Sequence, residues 1–179
     1  MAYEAEIIAA AARYGVDSHV ALAVAQQESG RQQYWQSGPK KGQLKIGSAG
    51  EIGIFQVEPA SAPGVDLRDP HQNIQAGVGL LAKLYAQFRT WPLALAAYNW
   101  GAKGVNEVLA GKRQLPTQVR QYVQAVMGAI QGSQAPGGGL APWQASGALQ
   151  APVKPGKLSP AVVAVGILAV GVVIVLALR

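Results

Sequence analysis

The sequence has no cysteine, so neither disulfides nor thiolate metal sites hold this chain together, and its redox compartment is left open. Histidine is almost as scarce. His19 and His71 are the only imidazoles, and neither stands beside an acidic cluster at metal-ligand spacing, so no metal and no cofactor is expected. Acids are few, nine Asp and Glu against fifteen Lys and Arg, which leaves a formal net charge of +6 and a pI near 9.7. That balance favours an anionic partner such as a cell-wall polymer or a lipid surface. Nucleic acid is not expected as a partner, because the basic residues are scattered from Arg13 to Arg120 with no basic helix and no nucleic-acid motif. A secretory leader is not evident either: Met1-Ala2-Tyr3-Glu4-Ala5-Glu6 is acidic where such a leader is basic, and Ile7 to Ala12 is short and alanine-rich.

What is present is apolar surface. Half of the 179 residues are hydrophobic, enough for one domain with a sizeable core. The pattern predicts a mainly helical domain over residues 1–131. A first helix ends near Tyr14-Gly15, and Asp17 caps a second that begins at Ser18 and carries the chain to Glu28. Gly30 to Ile52 is polar and glycine-bearing, a long loop or a small irregular sheet. Pro59 to Ala62 suggests one helical turn. Asp69-Pro70-His71-Gln72 approximates a capping box, and Ile74, Gly77, Val78, Leu81, Leu84, Tyr85 and Phe88 form the inward stripe of the helix that follows. Leu93 to Asn99 is apolar nearly all round and therefore central, Gly104 to Leu109 is a short helix, and Leu115-Pro116 opens a last amphipathic one through Val119, Tyr122, Val123, Val126 and Met127.

Beyond Gln131 the composition changes. Residues 132–160 are rich in Gly, Pro, Ala, Gln and Ser and read as a flexible linker of roughly 30 Å root-mean-square span. Residues 161–178 are uncharged, about 27 Å long as a helix, and match a bilayer core, so a single C-terminal transmembrane helix is expected.

One carboxylate stands out. In Ala21-Leu22-Ala23-Val24-Ala25-Gln26-Gln27-Glu28-Ser29-Gly30, Glu28 shares a helical face with Ala21, Val24 and Ala25. A carboxyl at the edge of an apolar face loses solvation when charged, which pushes its pKa towards the range a general acid needs. This run alone is equally compatible with an exposed glutamate beside a turn glycine. Two further stretches carry polar groups in an apolar setting: Gly53-Ile54-Phe55-Gln56, and Ala97-Tyr98-Asn99-Trp100-Gly101, where a phenol, an amide and an indole meet at a helix end.

Taken together and in this order, these pieces resemble the lysozyme-like lytic transglycosylases of the soluble-lytic-transglycosylase type. The pieces are Glu28-Ser29, Gly53 to Gln56 followed by Pro59 to Ala62, the Pro70, Asn73, Ala76 and Gly77 pattern, Ala97 to Gly101, and Leu115-Pro116 with Tyr122-Val123. The resemblance implies a lysozyme-like α+β catalytic domain that cleaves the β-1,4 bond between N-acetylmuramic acid and N-acetylglucosamine in peptidoglycan. It implies Glu28 as the catalytic acid and then base, closing a 1,6-anhydro ring. It also implies Ser29, Gln56, Phe55, Tyr98, Asn99 and Tyr122 as substrate-binding residues, with Phe55 lining the groove. Two positions depart from the family pattern: Gly47, with Ser48 beside it, stands where a serine is common, and Gln118 stands where a glutamate often precedes the late tyrosine.

Two other functions compete with this one. A hydrolytic muramidase of goose-type architecture uses water and a second acid, with Glu51 a candidate, and a non-catalytic wall-binding membrane protein needs no acid. Topology sets the context. Lys154 and Lys157 precede the apolar run and only Arg179 follows it, a bias that favours a cytoplasmic N-terminal domain, opposite the peptidoglycan. A phage virion protein delivered to the wall during genome entry, working with other virion proteins, reconciles the two. A subunit of a secretion or conjugation complex, acting from the inner membrane, is the alternative.

Overall fold

Two helix caps set the start of the fold. In the computed structural model, which describes residues 3–134, Asp17 accepts a hydrogen bond from the His19 N–H at 2.8 Å, and Asp69 accepts one from Gln72 N–H at 2.9 Å. Each fills an otherwise orphaned donor in the first helical turn. The helices are α1 (Glu4–Tyr14), α2 (Ser18–Ser29), α3 (Pro70–Phe88), α4 (Trp91–Trp100), α5 (Ala102–Leu109) and α6 (Thr117–Gln134), with one 3-10 turn at Pro59–Ser61. The capping box at α3 is half formed: Gln72 Oε1 accepts from the Asp66 N–H at 3.2 Å, so its side chain secures the preceding loop instead of Asp69.

α4 lies at the centre, packed on α3, α5 and α6, while α1 and α2 pair with each other and close against α3 and α6. Pro92, Ala94, Leu95, Ala96 and Ala97 of α4 are all buried, as expected of a helix with no polar face. Small alanines on α2 and α4 let neighbouring helices approach closely. On α3 the stripe Ile74, Gly77, Val78, Leu81, Leu84 and Phe88 is buried, joined by Asn73. Tyr85, expected in that stripe, is exposed and stacks on Trp91 with ring centroids 4.3 Å apart. A tyrosine at the stripe's border keeps its hydroxyl in water while its ring covers a neighbour.

The expected α+β character reduces to isolated bridges. Tyr34 pairs with Leu44, Ile46 with Ile52, and Ile52 with Val57, and the described residues contain no longer strand. The loop from Gly30 to Val57 is instead pinned by side chains. α6 continues to Gln134, three residues past the expected domain end, and buries Ile130 as well as Val119, Tyr122, Val123 and Val126. None of the described helices is long and apolar enough to cross a membrane. The rest of the 132–160 linker and the 161–178 span lie outside the described residues.

Candidate active site

Glu28 occupies the last turn of α2, which closes with Gly30 N–H on Gln26 O and Arg31 N–H on Ala25 O, both at 2.9 Å. This Schellman closure stops the helix where the carboxyl reaches solvent. Ala21, Val24 and Ala25, on the same face, are fully buried, and Glu28 itself is partly buried at the wall of a groove of about 710 Å³. Tyr122 of α6 donates its O–H to Glu28 Oε1 at 2.6 Å. The Glu28 pKa is raised from 4.5 to about 7, chiefly by burial and further by the negative charge of Glu51, with the Tyr122 hydrogen bond pulling the other way. At neutral pH the carboxyl is therefore poised between donor and acceptor. Both Tyr98 and Tyr122 phenols are held well above their ordinary value by burial and then by the Glu28 charge, so they act as hydrogen-bond donors.

The opposing wall begins with the turn Gly53 to Gln56. Beneath it, Asn73 accepts from Phe55 N–H at 3.0 Å and donates to Ile52 O at 2.7 Å and Leu67 O at 3.1 Å. Gln33 accepts from Ile54 N–H at 3.0 Å and donates to Leu67 O and Arg68 O at 2.9 and 3.0 Å. From α4, Tyr98 donates to Phe55 O at 2.7 Å. The turn is thus tied to three elements at once. That over-determination holds Gln56 at φ 44°, a backbone region that few non-glycine residues adopt. The Gln56 amide folds back to donate to Gly53 O at 2.8 Å.

Of the residues picked out in the sequence, Glu28, Gln56, Tyr98 and Asn99 share the groove, and Tyr122 touches it through Glu28. Two do not reach it. Phe55 is fully buried with its ring laid directly on Gly77 of α3, where any Cβ would collide with it. The apolar ring is drawn into the core, and its carbonyl, not its side chain, serves the site. Ser29 is buried too: its hydroxyl donates to Ile54 O at 2.7 Å and accepts from Gln32 N–H at 3.0 Å, stitching the end of α2 to the turn. Gln118 is exposed on α6 and is not part of the groove lining.

Glu51, the second acid of the hydrolytic alternative, lines the groove, and so do Ser48, Glu58 and Lys83. Asn73 sits one turn before Gly77 on the inward stripe, a position whose polarity signals a buried amide with work to do. Gln33, in a loop without periodicity, carries no such signal. Trp100 also lines the groove, with its ring packed against Gly104 and the Arg113 guanidinium over it at 4.4 Å. His19 pairs locally with Asp17, and His71 of α3 pairs with Glu6 of α1, each at 3.0 Å, and no metal-binding cluster of acids and histidines forms among the described residues.

The helical fold with a partly buried carboxyl at the wall of its groove is one that comparisons with known proteins identify. The chain belongs to the transglycosylase SLT domain family, which residues 5–121 match. Among solved structures it is similar to an inactive variant of the lytic transglycosylase Slt from Pseudomonas aeruginosa, with 25% identity, a TM-score of 0.60, and coverage of 73% of this chain and 24% of that one. It is likewise similar to the 70 kDa soluble lytic transglycosylase of Escherichia coli, at 25% identity and TM-score 0.59, covering 72% of this chain and 23% of that one. A complex of the 70 kDa soluble enzyme with bulgecin A shares the fold at 24% identity and TM-score 0.59. The chain thus spans about a quarter of the length of these proteins.

Proposed function

We propose that this protein is a peptidoglycan lytic transglycosylase in which Glu28 performs both proton transfers. The observation that carries this reading is the Glu28 carboxyl, held near neutrality at the wall of the groove with one phenolic partner. Protonated Glu28 donates to the glycosidic oxygen as the bond from muramic acid C1 to that oxygen breaks. The carboxylate then takes the proton of the muramyl C6 hydroxyl, whose oxygen bonds to C1 and closes the 1,6-anhydro ring. No water is consumed and Glu28 ends protonated, ready for another cycle. An intramolecular nucleophile is already positioned, so one carboxyl is sufficient, whereas ordinary glycosidases place two acids about the bond. Tyr98, Asn99 and Gln56 offer the hydrogen-bonding edge for the sugar, and the Tyr122 hydroxyl orients the acid. The family membership supports the substrate class, and the Pseudomonas relative was crystallised as an inactive variant of a lytic transglycosylase.

Glu51 at the groove favours one competing reading, a hydrolytic muramidase in which that second acid holds the attacking water. Mass spectrometry of peptidoglycan digested by the purified chain separates them. Anhydromuramic ends are the expected product; reducing muramic acid ends without anhydro product would replace this reading with hydrolysis. The wider proposal is that residues 161–178 tether the enzyme to a membrane within the linker's reach of the wall, in a phage particle during genome entry or in an envelope-spanning complex. Proteomics of purified particles tests the former, and absence of the protein there would remove it.

A further inference from the structure

The loop carrying Glu51 is built around that carboxyl. Gly47 N–H donates to Glu51 O at 2.8 Å and Gly50 N–H to Gly47 O at 3.2 Å, closing a tight turn. Ala49 N–H donates to Glu51 Oε2 at 3.0 Å and fixes the side chain inside that turn. Gly47 is what makes room: a Cβ there would run into Glu51 Oε2 and into Gln56 Oε1. Glu51 Oε1 receives no hydrogen bond from the described residues, and the carboxyl faces the same groove as Glu28. Four groups act on Glu28 or face the groove with it beside Glu51: Tyr122 from α6, Tyr98 from α4, Lys83 from α3, and Glu58 from the segment before the 3-10 turn. Of these acids, the charge of Glu51 is the one felt at Glu28.

We propose that Glu51 is a positioning residue of this site: held by the Gly47–Glu51 turn at the same groove, its negative charge adds to burial in keeping the proton on Glu28 until the glycosidic oxygen takes it, and Gly47 is the space that permits this. The role rests on Glu28 being the acid of the reaction. It explains why a glycine stands at position 47, where a serine side chain would displace the carboxyl.

The test is a carbon-13 carboxyl NMR titration of the full chain, with the Glu28 resonance assigned by its loss in Glu28→Gln, alongside the pH dependence of wall digestion. The Glu28 midpoint is expected to fall by roughly half a pH unit or more in Glu51→Gln, and the alkaline limb of activity to move with it. Gly47→Ser, which keeps the charge but crowds it out of place, is expected to move the midpoint in the same direction. Glu58→Gln is expected to leave it where it is. An unchanged midpoint in Glu51→Gln overturns the proposal, as does an equal shift in Glu58→Gln, which would assign the effect to the acidity of the groove at large. A shift in Glu51→Gln without one in Gly47→Ser overturns the part given to Gly47. The titration needs no turnover, so a failure of the transglycosylase reading shows in the product analysis and a failure of this one in the midpoint.

Discussion

The two sides of the Ile52 to Val57 segment treat polar groups in opposite ways. On the buried side, Asn73 and Gln33 are nearly inaccessible and each makes three hydrogen bonds to backbone. On the groove side, Glu28 receives a single hydrogen bond from the described residues and stays partly desolvated. Satisfied amides fix a backbone; an under-satisfied carboxyl holds a raised pKa that chemistry can use. Stability and the proposed activity are therefore carried by different residues, and substitutions can pull them apart.

The sharpest break is Glu28→Gln. It is expected to cut release of soluble wall fragments by about 10³-fold, the scale of losing a general acid and base, with the circular dichroism of the folded chain unchanged. The reverse case is Asn73→Ala, which orphans the buried Phe55 N–H and leaves the Ile52 carbonyl with only the Val57 N–H as donor. It is expected to lower unfolding free energy by about 3 to 4 kcal/mol in urea titrations, while the remaining folded molecules keep a competent Glu28.

A third effect joins the two sides. The native Glu28 titrates at about 7 against 4.5 for the unconstrained group, so between those values the folded state binds more protons than the unfolded one. Stability from this group is full at acid pH and falls as pH rises through that window, by at most about 3 kcal/mol. Glu28→Gln has no such dependence. Its stability is expected to match wild type near about pH 4 and to exceed it by about 1 to 3 kcal/mol near about pH 8. A gap that does not widen with pH would show that Glu28 is not strained in the native state.

The smallest effect is expected for Tyr122→Phe. Losing the 2.6 Å hydrogen bond to Glu28 Oε1 removes the one influence that lowers its pKa, so the Glu28 midpoint should rise. About 1 kcal/mol of stability is expected to go with it, together with about a tenfold loss of rate as the acid loses its orientation.

Periodicity and caps made the helices legible, because apolar stripes on α3 and α6 and the aspartates at positions 17 and 69 speak through local spacing. Glu28 was legible for the same reason: its face was set by Ala21, Val24 and Ala25. The loop side was not. Gln33, Glu51 and Glu58 sit in segments with no repeat, and their roles arise from contacts across the chain, such as Gln33 with Leu67. Phe55 and Ser29 show the complementary error, since a family motif marks residues that build a site as well as those that touch substrate. The ring of Phe55 goes to Gly77 because the core has a gap of that shape there.

The central claim is that Glu28 carries the proton of the reaction at neutral pH, and the pH–rate profile of peptidoglycan digestion by wild type and Glu28→Gln tests it most directly. Wild-type activity is expected to fall on the alkaline side through a midpoint near the Glu28 value of about 7, with Glu28→Gln inactive throughout. Digestion by Glu28→Gln at the wild-type rate, or a wild-type profile flat through that region, would contradict it.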